Sequence, residues 1–490
     1  MRTSKISSGN SGYHAWILAF ALSLLMLIAL SKSWFYDHTP AAASENLQNF
    51  SVIVPSKGQD YPPVLAYWIC GTSGDGKRML RLLKAIYHPR NQYLLQLDAE
   101  SSDYERAELV VSVQSESLFR AFGNVNVVGK GYAINEMGSS ALAAILNAAA
   151  LLLKLSTDWD WFINLSVSDY PLVSQDDLLH AFTSLPRDLN FINYTGGDAA
   201  KNEIDKINQI VVDPSLHLQK SSHLYYAVET RTTPDAFKIF GGSPWLILTR
   251  AFMEYCVQGW DNLPRKLLMY FSNTASPLES YFHSVLCNSP EFQNTTVSND
   301  LRYNILETAT DGESPYDKML NSGAAFARPF KEDAAALNMI DENVLNREPD
   351  GLVPGKWCSG QGMNKSTEAS KPAGEDLCSA WGNINEVKPG SYGLRFSFLL
   401  SKFAREEKLT ASRCLQATKQ WGHPRNQARI LVWIIFFLLI EDYWLNRASL
   451  PYESFAKCTT CAYLLVKQKL QELTKLWVFI VLPLPSCFQC

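Results

Sequence analysis

Short apolar runs alternate with amphipathic stretches between residues 64 and about 250, and this alternation limits how the chain can fold. The first run, "VLAYWIC" (Val64 to Cys70), is bounded by proline and glycine, which is typical of a buried strand. The stretch "GKRMLRLLKAIYH" follows with apolar residues at helical spacing, and Pro89 ends it. Strands that alternate with helices form a mainly parallel sheet with helices on its faces. We therefore predict an α/β fold.

The remaining elements of the alternation are predicted in the same way. A long helix is expected from Ser139 to Ser156, and residues 340 to 415 are polar and expected to be rich in loops. Ligands bind beyond the carboxyl ends of strands in such sheets, so the loops after Cys70, Leu97 and Leu165 are the expected site. The further strands are predicted at "QYLLQLD" (92–98), "AELVVSV" (107–113), "NVNVVG" (124–129) and "WFINL" (161–165).

The glycine-rich turn after the first strand has the spacing of a phosphate-binding P-loop. Gly71, Gly76 and Lys77 fit G-x4-G-K, but Arg78 stands where that motif requires Ser or Thr. The hydroxyl that normally binds Mg²⁺ is therefore missing. This departure disfavours an ATP or GTP site of the P-loop type.

The N-terminal segment predicts the compartment. The stretch from His14 to Leu30 is apolar and carries no acid, lysine or arginine, which suits the short end of a membrane span. Arg2 and Lys5 precede it and favour a cytosolic N-terminus. We predict a cytosolic tail (1–13), a signal anchor (14–30) and a stem (31–60). A cleaved signal peptide is the alternative, and both interpretations place the rest of the chain in a lumen or outside the cell.

Charge and cysteine content narrow the classes of function. The net charge of −4 gives no reason to expect nucleic acid as a partner. Of the ten cysteines, Cys358, Cys378 and Cys414 are expected to form disulfides in an oxidising compartment. Residues 416–490 form an atypical hydrophobic tail with two C-x2-C pairs. Their separation exceeds that of a usual zinc site, so we assign the tail no metal and no role.

Six motifs follow one another along the chain: "AYWICGTSGD", "YLLQLDAES", "DWFINLSVSDYPL", "FGGSPWLILTRAF", "SPLESYFHSVLCN" and "GAAFARPF". In this order they resemble the core-2/I-branching glycosyltransferases. They resemble most the plant β-glucuronosyltransferases that act on arabinogalactan proteins, and the likeness covers roughly residues 61–415. It implies a lumenal domain with a GT-A-like, nucleotide-sugar-binding fold, in a type II protein of the Golgi membrane.

The resemblance also implies a reaction. Glucuronic acid would pass from UDP-glucuronic acid to galactose residues of type II arabinogalactan, with inversion to a β-linkage and without a metal cofactor. The implied partners are the UDP-sugar, the glycan acceptor, the Golgi membrane and other Golgi transferases. Two alternatives stay open: transfer of N-acetylglucosamine or another UDP-sugar, and a catalytically silent Golgi protein that binds glycans or acts as a scaffold.

The motif matches assign roles to individual residues. Glu279 in "SPLES" matches the general base that deprotonates the acceptor hydroxyl. Gly71 lies in the turn expected to cradle part of the donor, and Asp98 is expected to accept a hydrogen bond from uracil. Asp169 is expected to bond to ribose or to the sugar.

The resemblance implies that basic side chains stabilise the leaving diphosphate in place of a metal. Arg302 and Arg328 match that region. Many relatives carry lysine where this chain has Pro329, so Arg328 or Lys331 would take over its role. The D-x-D sequence at Asp158 to Asp160 precedes a strand, whereas a metal motif should follow one, so we interpret it as a solvated turn.

Four glycosylation sequons suit a lumenal protein. Asn294 and Asn364 lie in polar stretches and are the predicted sites of modification. Asn164 lies within a predicted buried strand and is expected to remain unmodified.

Overall fold

The computed structural model describes Ser23, Met26, residues 55–58, 60–195, 207–305, 314–348, 351–358 and 382–409, and Cys414. The chain divides into two compact units, Met1–Ser412 and Arg413–Cys490, and the fold below belongs to the first. Among the described residues, no helix has the length and apolarity that a membrane crossing requires. Apart from Ser23 and Met26, the predicted anchor lies outside the described residues, as does the tail 416–490.

Twelve strands form three sheets in the described part of the chain. They are β1 (Leu65–Gly71), β2 (Gln92–Leu97), β3 (Val125–Val127), β4 (Trp161–Ser166), β5 (Tyr170–Pro171), β6 (Asn190–Tyr194), β7 (Gln209–Val212), β8 (Tyr225–Thr230), β9 (Gly242–Thr249), β10 (Thr296–Val297), β11 (Arg302–Asn304) and β12 (Phe326–Arg328).

The helices of the described residues connect and cover these strands. They are α1 (Gly76–Ala85), α2 (Asp103–Ser115), α3 (Ser117–Phe122), α4 (Ser139–Leu155), α5 (Gln175–Thr183), α6 (Arg250–Gln258), α7 (Leu263–Phe271), α8 (Tyr281–Asn288), α9 (Pro315–Asn321), α10 (Ala335–Asn343) and α11 (Ser391–Leu409). Short 3₁₀ turns lie at Pro214–Leu216 and Pro277–Glu279.

The central sheet has seven strands in the order β10-β6-β9-β4-β1-β2-β3. β1 pairs in parallel with both β2 and β4, and β2 pairs in parallel with β3. β9 runs antiparallel to its neighbours β4 and β6. The prediction of a mainly parallel sheet is thus confirmed. Because β9 is reversed, its first residues lie at the same edge as the last residues of β4.

Helices cover both faces of this sheet, as predicted, because side chains of β1 alternate between two cores. Leu65, Tyr67 and Ile69 pack into a core with α1, α2, α5, α10 and α11. Val64, Ala66 and Trp68 face the opposite way, toward α4, α6, α7 and α8. Such burial on both faces accounts for the continuous apolar run in the sequence.

Two sequence predictions are wrong. The stretch 107–113, predicted as a strand, belongs to helix α2. Ser102 and Glu105 form a capping box that starts this helix, and Leu109 and Val113 are its buried residues, one turn apart. The region 340–415, predicted as loop-rich, contains the 19-residue helix α11. Its buried residues, Phe396, Leu400 and Ala404, recur every four positions, and the helix packs against α5.

A buried polar cluster ties helices α1 and α10 to β5. The carboxylate of Asp341 on α10 accepts hydrogen bonds from Arg347 Nε at 2.7 Å, Arg81 Nη2 at 2.7 Å and the Tyr170 hydroxyl at 2.6 Å. Arg347 also donates to the Tyr170 hydroxyl at 2.6 Å. Since Asp341 and Arg347 are almost fully buried, each charge depends on the other for compensation.

Replacing Asp341 with Asn should destabilise the protein by about 3 kcal/mol, since Arg81 and Arg347 lose a buried carboxylate partner while side-chain size is kept. Chemical denaturation of the full chain measures the change. Glu342→Gln, the equivalent carboxylate-to-amide change at the exposed neighbouring position on α10, is the matched control and should lie within about 0.5 kcal/mol of wild type. Equal stability of the two variants would contradict the argument.

Candidate active site

The carboxyl ends of β1, β2 and β4 meet at one edge of the sheet, as the sequence predicts. The Asp98 N–H donates to the Gly71 carbonyl at 3.0 Å, and the Val167 N–H donates to the Cys70 carbonyl at 3.1 Å. A methyl group on Gly71 would lie 3.0 Å from both Asp75 Cβ and Val167 Cγ1. Gly71 and Asp98 are therefore direct neighbours, and Gly71 allows the loop after β4 to approach closely.

Carboxylates brace the glycine-rich turn from outside. Gly74, at a φ of +87°, donates its N–H to Glu105 Oε1 at 2.7 Å, and Thr72 donates its N–H to Asp75 Oδ2 at 2.8 Å. The N–H groups of Ser102 and Gly74 hold the pKa of Glu105 down, to about 2. In a P-loop the backbone N–H groups face phosphate. Here two of them face carboxylates, which supports rejection of the P-loop interpretation.

Asp98 lies buried just beyond β2 with one oxygen engaged. Its Oδ1 accepts from the N–H groups of Glu100 and Ser101 and from the Ser101 hydroxyl. Within the described residues, its Oδ2 receives no hydrogen bond. Burial raises the pKa of this carboxyl, and the two backbone hydrogen bonds oppose the rise. The side chain thus retains an acceptor for another donor.

The structure brings Asp169, Arg302 and Arg328 together. Asp169 is buried in the loop after β4, where its Oδ2 accepts the Ser166 N–H at 2.6 Å. Arg328 Nε, at the end of β12, lies 3.3 Å from Asp169 Oδ1. Burial raises the pKa of Asp169, and the positive charges of Arg302 and Arg328 oppose the rise. The three residues form an ionic cluster in which Asp169 and Arg302 are buried.

Arg302 and Arg328 differ in exposure. Arg302 is buried and donates to the backbone carbonyls of Asp300 at 3.0 Å and Asn164 at 2.5 Å. Arg328 keeps about a quarter of its side chain exposed. Burial lowers the pKa of Arg302, while Asp169 raises it. Of the two, Arg328 is the cation that can reach a ligand in solution, and Arg302 is the one that fixes the loop.

Trp245 on β9 organises this cluster, a role that the sequence interpretation missed. Its ring lies 4.0 Å from the Arg328 guanidinium and 5.3 Å from that of Arg302. A cation over an indole ring is attracted to the ring face. The tryptophan was visible in the motif "FGGSPWLILTRAF", but only the reversed direction of β9 brings it to the cluster.

Glu279 ends the 3₁₀ turn Pro277–Glu279, which packs against α4 and β9. The preceding residue, Ser276, has a left-handed φ of +45° and donates its N–H to the Met137 carbonyl at 2.8 Å. Just after the turn, the Ser284 hydroxyl of α8 accepts the Phe240 N–H at 3.0 Å. These contacts hold the turn near the start of β9, at the edge where β4 ends.

Glu136 is a further carboxylate at this edge that the sequence interpretation missed. The pKa of the Cys70 thiol, at the end of β1, rises to about 12 because of burial and the negative charges of Asp169, Glu136 and Asp75. Glu136 itself is exposed, in the loop before α4. Two acids, Glu136 and Glu279, are therefore candidates for the base of a transfer reaction.

The D-x-D sequence lies at the opposite edge of the sheet, before β4. Asp158 forms an ion pair with Lys57, and Asp160 Oδ2 accepts the Val64 N–H at 2.8 Å. No group of three metal-binding side chains occurs among the residues that the structure describes. Both acids of this sequence are thus engaged by groups of the protein itself.

The sequons differ in exposure. Asn294 is exposed in the loop before β10, whereas Asn164 is buried, with its side chain bonded to the backbone of β9. Asn364 lies outside the described residues. Cys287, Cys358 and Cys414 are disulfide-bonded, while Cys70 and Cys256 are free.

Comparison with known proteins agrees with this architecture. The family model of the Core-2/I-Branching enzyme matches residues 65–315. The chain is 44% identical over 360 residues to beta-glucuronosyltransferase GlcAT14A of Arabidopsis thaliana, covering 72% of this chain and 78% of that protein. It is 44% identical to GlcAT14C of the same plant, covering 91% of it. Xylosyltransferase 1 of Rattus norvegicus is 36% identical over 247 residues, which cover 49% of this chain and 28% of that protein.

The mixed α/β sheet and this likeness define a glycosyltransferase. The chain belongs to the core-2/I-branching enzyme family.

The ionic cluster generates a prediction about coupling. Arg302→Met should destabilise the protein by about 3 kcal/mol, because Asp169 loses one of its two compensating cations. Adding Asp169→Asn should recover about 1–2 kcal/mol of this loss, and a double-mutant cycle by chemical denaturation measures that coupling. Lys331 is an exposed cation shortly after β12, and Lys331→Met should show no coupling to Asp169→Asn. Strictly additive effects of Arg302→Met and Asp169→Asn would contradict the prediction.

Proposed function

We propose that the protein is an inverting β-glucuronosyltransferase that moves glucuronic acid from UDP-glucuronic acid to galactose residues of type II arabinogalactan. The observation that carries the proposal is the 44% identity over 360 residues to a β-glucuronosyltransferase, of which the match covers 78%. The proposed fold is of the GT-A type, and the proposed location is the Golgi membrane, with the catalytic domain in the lumen. Other Golgi transferases are proposed partners.

The donor would occupy the edge where β1, β2 and β4 end. Asp98, with its unused Oδ2, would accept from uracil, and the turn at Gly71 would lie against the nucleotide. Asp169 is largely committed to Ser166 and Arg328, so its proposed contact with ribose or sugar uses what remains of its acceptor capacity.

The diphosphate would lie against Arg328. This guanidinium is partly exposed, stacked on Trp245 and held by Asp169, so its orientation is set before a ligand arrives. Arg302 would support it from the buried side. Lys331 is exposed and has no comparable contacts among the described residues, which favours Arg328 as the replacement for the lysine of relatives at the position of Pro329. The proposed mechanism uses these cations without a metal.

Glu279 would act as the general base. It would take the proton of the acceptor hydroxyl while that oxygen attacks the anomeric carbon from the side opposite UDP, which gives the inverted β-linkage. The turn that carries Glu279 packs against α4 and β9. The match to xylosyltransferase 1 keeps another UDP-sugar as the second candidate donor.

The first test is transfer by the full chain from a panel of UDP-sugars to β-galactan oligosaccharides, with and without EDTA. We expect transfer from UDP-glucuronic acid that EDTA does not reduce, because cations of the protein serve the leaving group. Mass spectrometry of the product identifies the sugar. Transfer of xylose or N-acetylglucosamine in place of glucuronic acid would overturn the donor assignment, and EDTA-sensitive turnover would overturn the metal-free mechanism.

Glu279→Gln should lower kcat by about 10²–10⁴-fold, the usual contribution of a general base, with the Kd for UDP unchanged. Steady-state kinetics and calorimetric titration with UDP measure the two quantities. Glu136→Gln, at the second candidate acid of this edge, is the matched control and should retain kcat within about threefold. Loss of turnover in Glu136→Gln with retention in Glu279→Gln would transfer the role of base to Glu136.

A further inference from the structure

The ribbon formed by β7 and β8 presents apolar side chains to solvent at the end nearest the candidate site. Val212 and Tyr225 lie directly opposite each other, so their side chains share one face of the ribbon. They are 46% and 66% exposed. Met137, in the loop on which this end of the ribbon rests, is 55% exposed. We call Val212, Tyr225 and Met137 the ribbon patch.

The ribbon is held firmly in place at this end. Asp213, directly after β7, accepts the N–H of Ser140 at the start of α4 with its Oδ2 at 2.8 Å. Asn135 Nδ2 donates to the Ser222 carbonyl at 2.8 Å. A methyl group on Gly138 would lie 2.1 Å from Asp213 Oδ2, which shows how closely the two segments approach. The patch is thus a fixed surface.

A hydrogen bond joins the ribbon patch to the turn of the proposed base. The Met137 carbonyl accepts the N–H of Ser276, three residues before Glu279. Farther along the ribbon, the Val211 N–H donates to the Asn273 carbonyl at 3.0 Å, in the same segment that leads into this turn. The patch therefore lies beside the turn that carries Glu279.

This position identifies the occupant if the proposed function holds. A base that deprotonates the acceptor must touch the acceptor, so the surface that continues from Glu279 faces acceptor and not donor. The three side chains of the patch carry no charge, which suits a neutral glycan. A rigid tyrosine ring offers an apolar face and a polar edge, and pyranose rings likewise have an apolar face of C–H groups.

We propose that the ribbon patch is the acceptor platform, on which Tyr225 stacks against a galactose unit next to the one that receives the sugar. Val212 and Met137 extend the apolar floor on either side. The inference deepens, and rests on, the proposed function, since it assigns to the same site the surface that selects its neutral galactan acceptor.

Kinetics of the full chain with UDP-glucuronic acid and a β-galactan oligosaccharide tests the platform. Tyr225→Ala should raise the KM for the oligosaccharide roughly tenfold, the loss typical of an aromatic anchor, and leave the KM for the donor unchanged. Tyr225→Phe should behave like wild type, because the ring is kept. Tyr226→Ala, on the other face of the same strand, is the matched control and should leave both constants unchanged.

The outcomes separate failure of the platform from failure of the proposed function. An unchanged acceptor KM in Tyr225→Ala, or an equal rise in both KM values, would overturn the platform while the activity stands. If wild type transfers no sugar, calorimetric titration with the oligosaccharide decides: binding that Tyr225→Ala abolishes supports the platform, and absent or unaltered binding overturns it. Concentration-dependent dimerisation that Tyr225→Ala abolishes would assign the patch to a second copy and would also overturn it.

Discussion

The candidate site depends on the parallel pairing of β1 with both β2 and β4. Parallel strands end at the same edge, and here that edge receives the glycine-rich turn, Asp98 and the loop of Asp169. Because the sheet is covered on both faces, its central strands are buried, and only their ends are free to carry polar groups. The site therefore lies at the ends of the strands. Its residues are far apart in the sequence because each follows a different strand.

Burial and charge are balanced differently at the two polar clusters of this domain. Around Asp341, every charged group is engaged by another part of the protein, and the cluster serves to join helices to β5. Around Asp169, one cation remains partly exposed and rests on an indole ring. The first arrangement is complete by itself. In the second, among the described residues, the Arg328 guanidinium contacts Asp169 and Trp245 and stays partly exposed, which suits binding of an anion.

Much of the fold followed from periodicity, because strands buried on both faces and helices with one apolar stripe have distinct patterns. Gly71 and Asp98 could be placed together since both end parallel strands. The run "AELVVSV" was wrongly predicted as a strand because valines favour strands. The capping box at Ser102 and Glu105 starts a helix there. Trp245 and Glu136 could not be placed, since their positions depend on the reversal of β9 and on the path of one loop. The motif at Glu279 came from resemblance alone; no periodicity marks it.

Asn164 connects the pairing of β4 with β9 to the arginine cluster. Its Oδ1 accepts the Leu246 N–H at 2.9 Å, its Nδ2 donates to the Pro244 carbonyl at 3.3 Å, and its own carbonyl holds Arg302. The side-chain amide thus fixes the register of β9 against β4, and this register places Trp245 beside Arg302 and Arg328. The same residue begins the sequon Asn-Leu-Ser. A sugar attached at this buried side chain could not be accommodated between β4 and β9, so the folded sheet requires an unmodified Asn164.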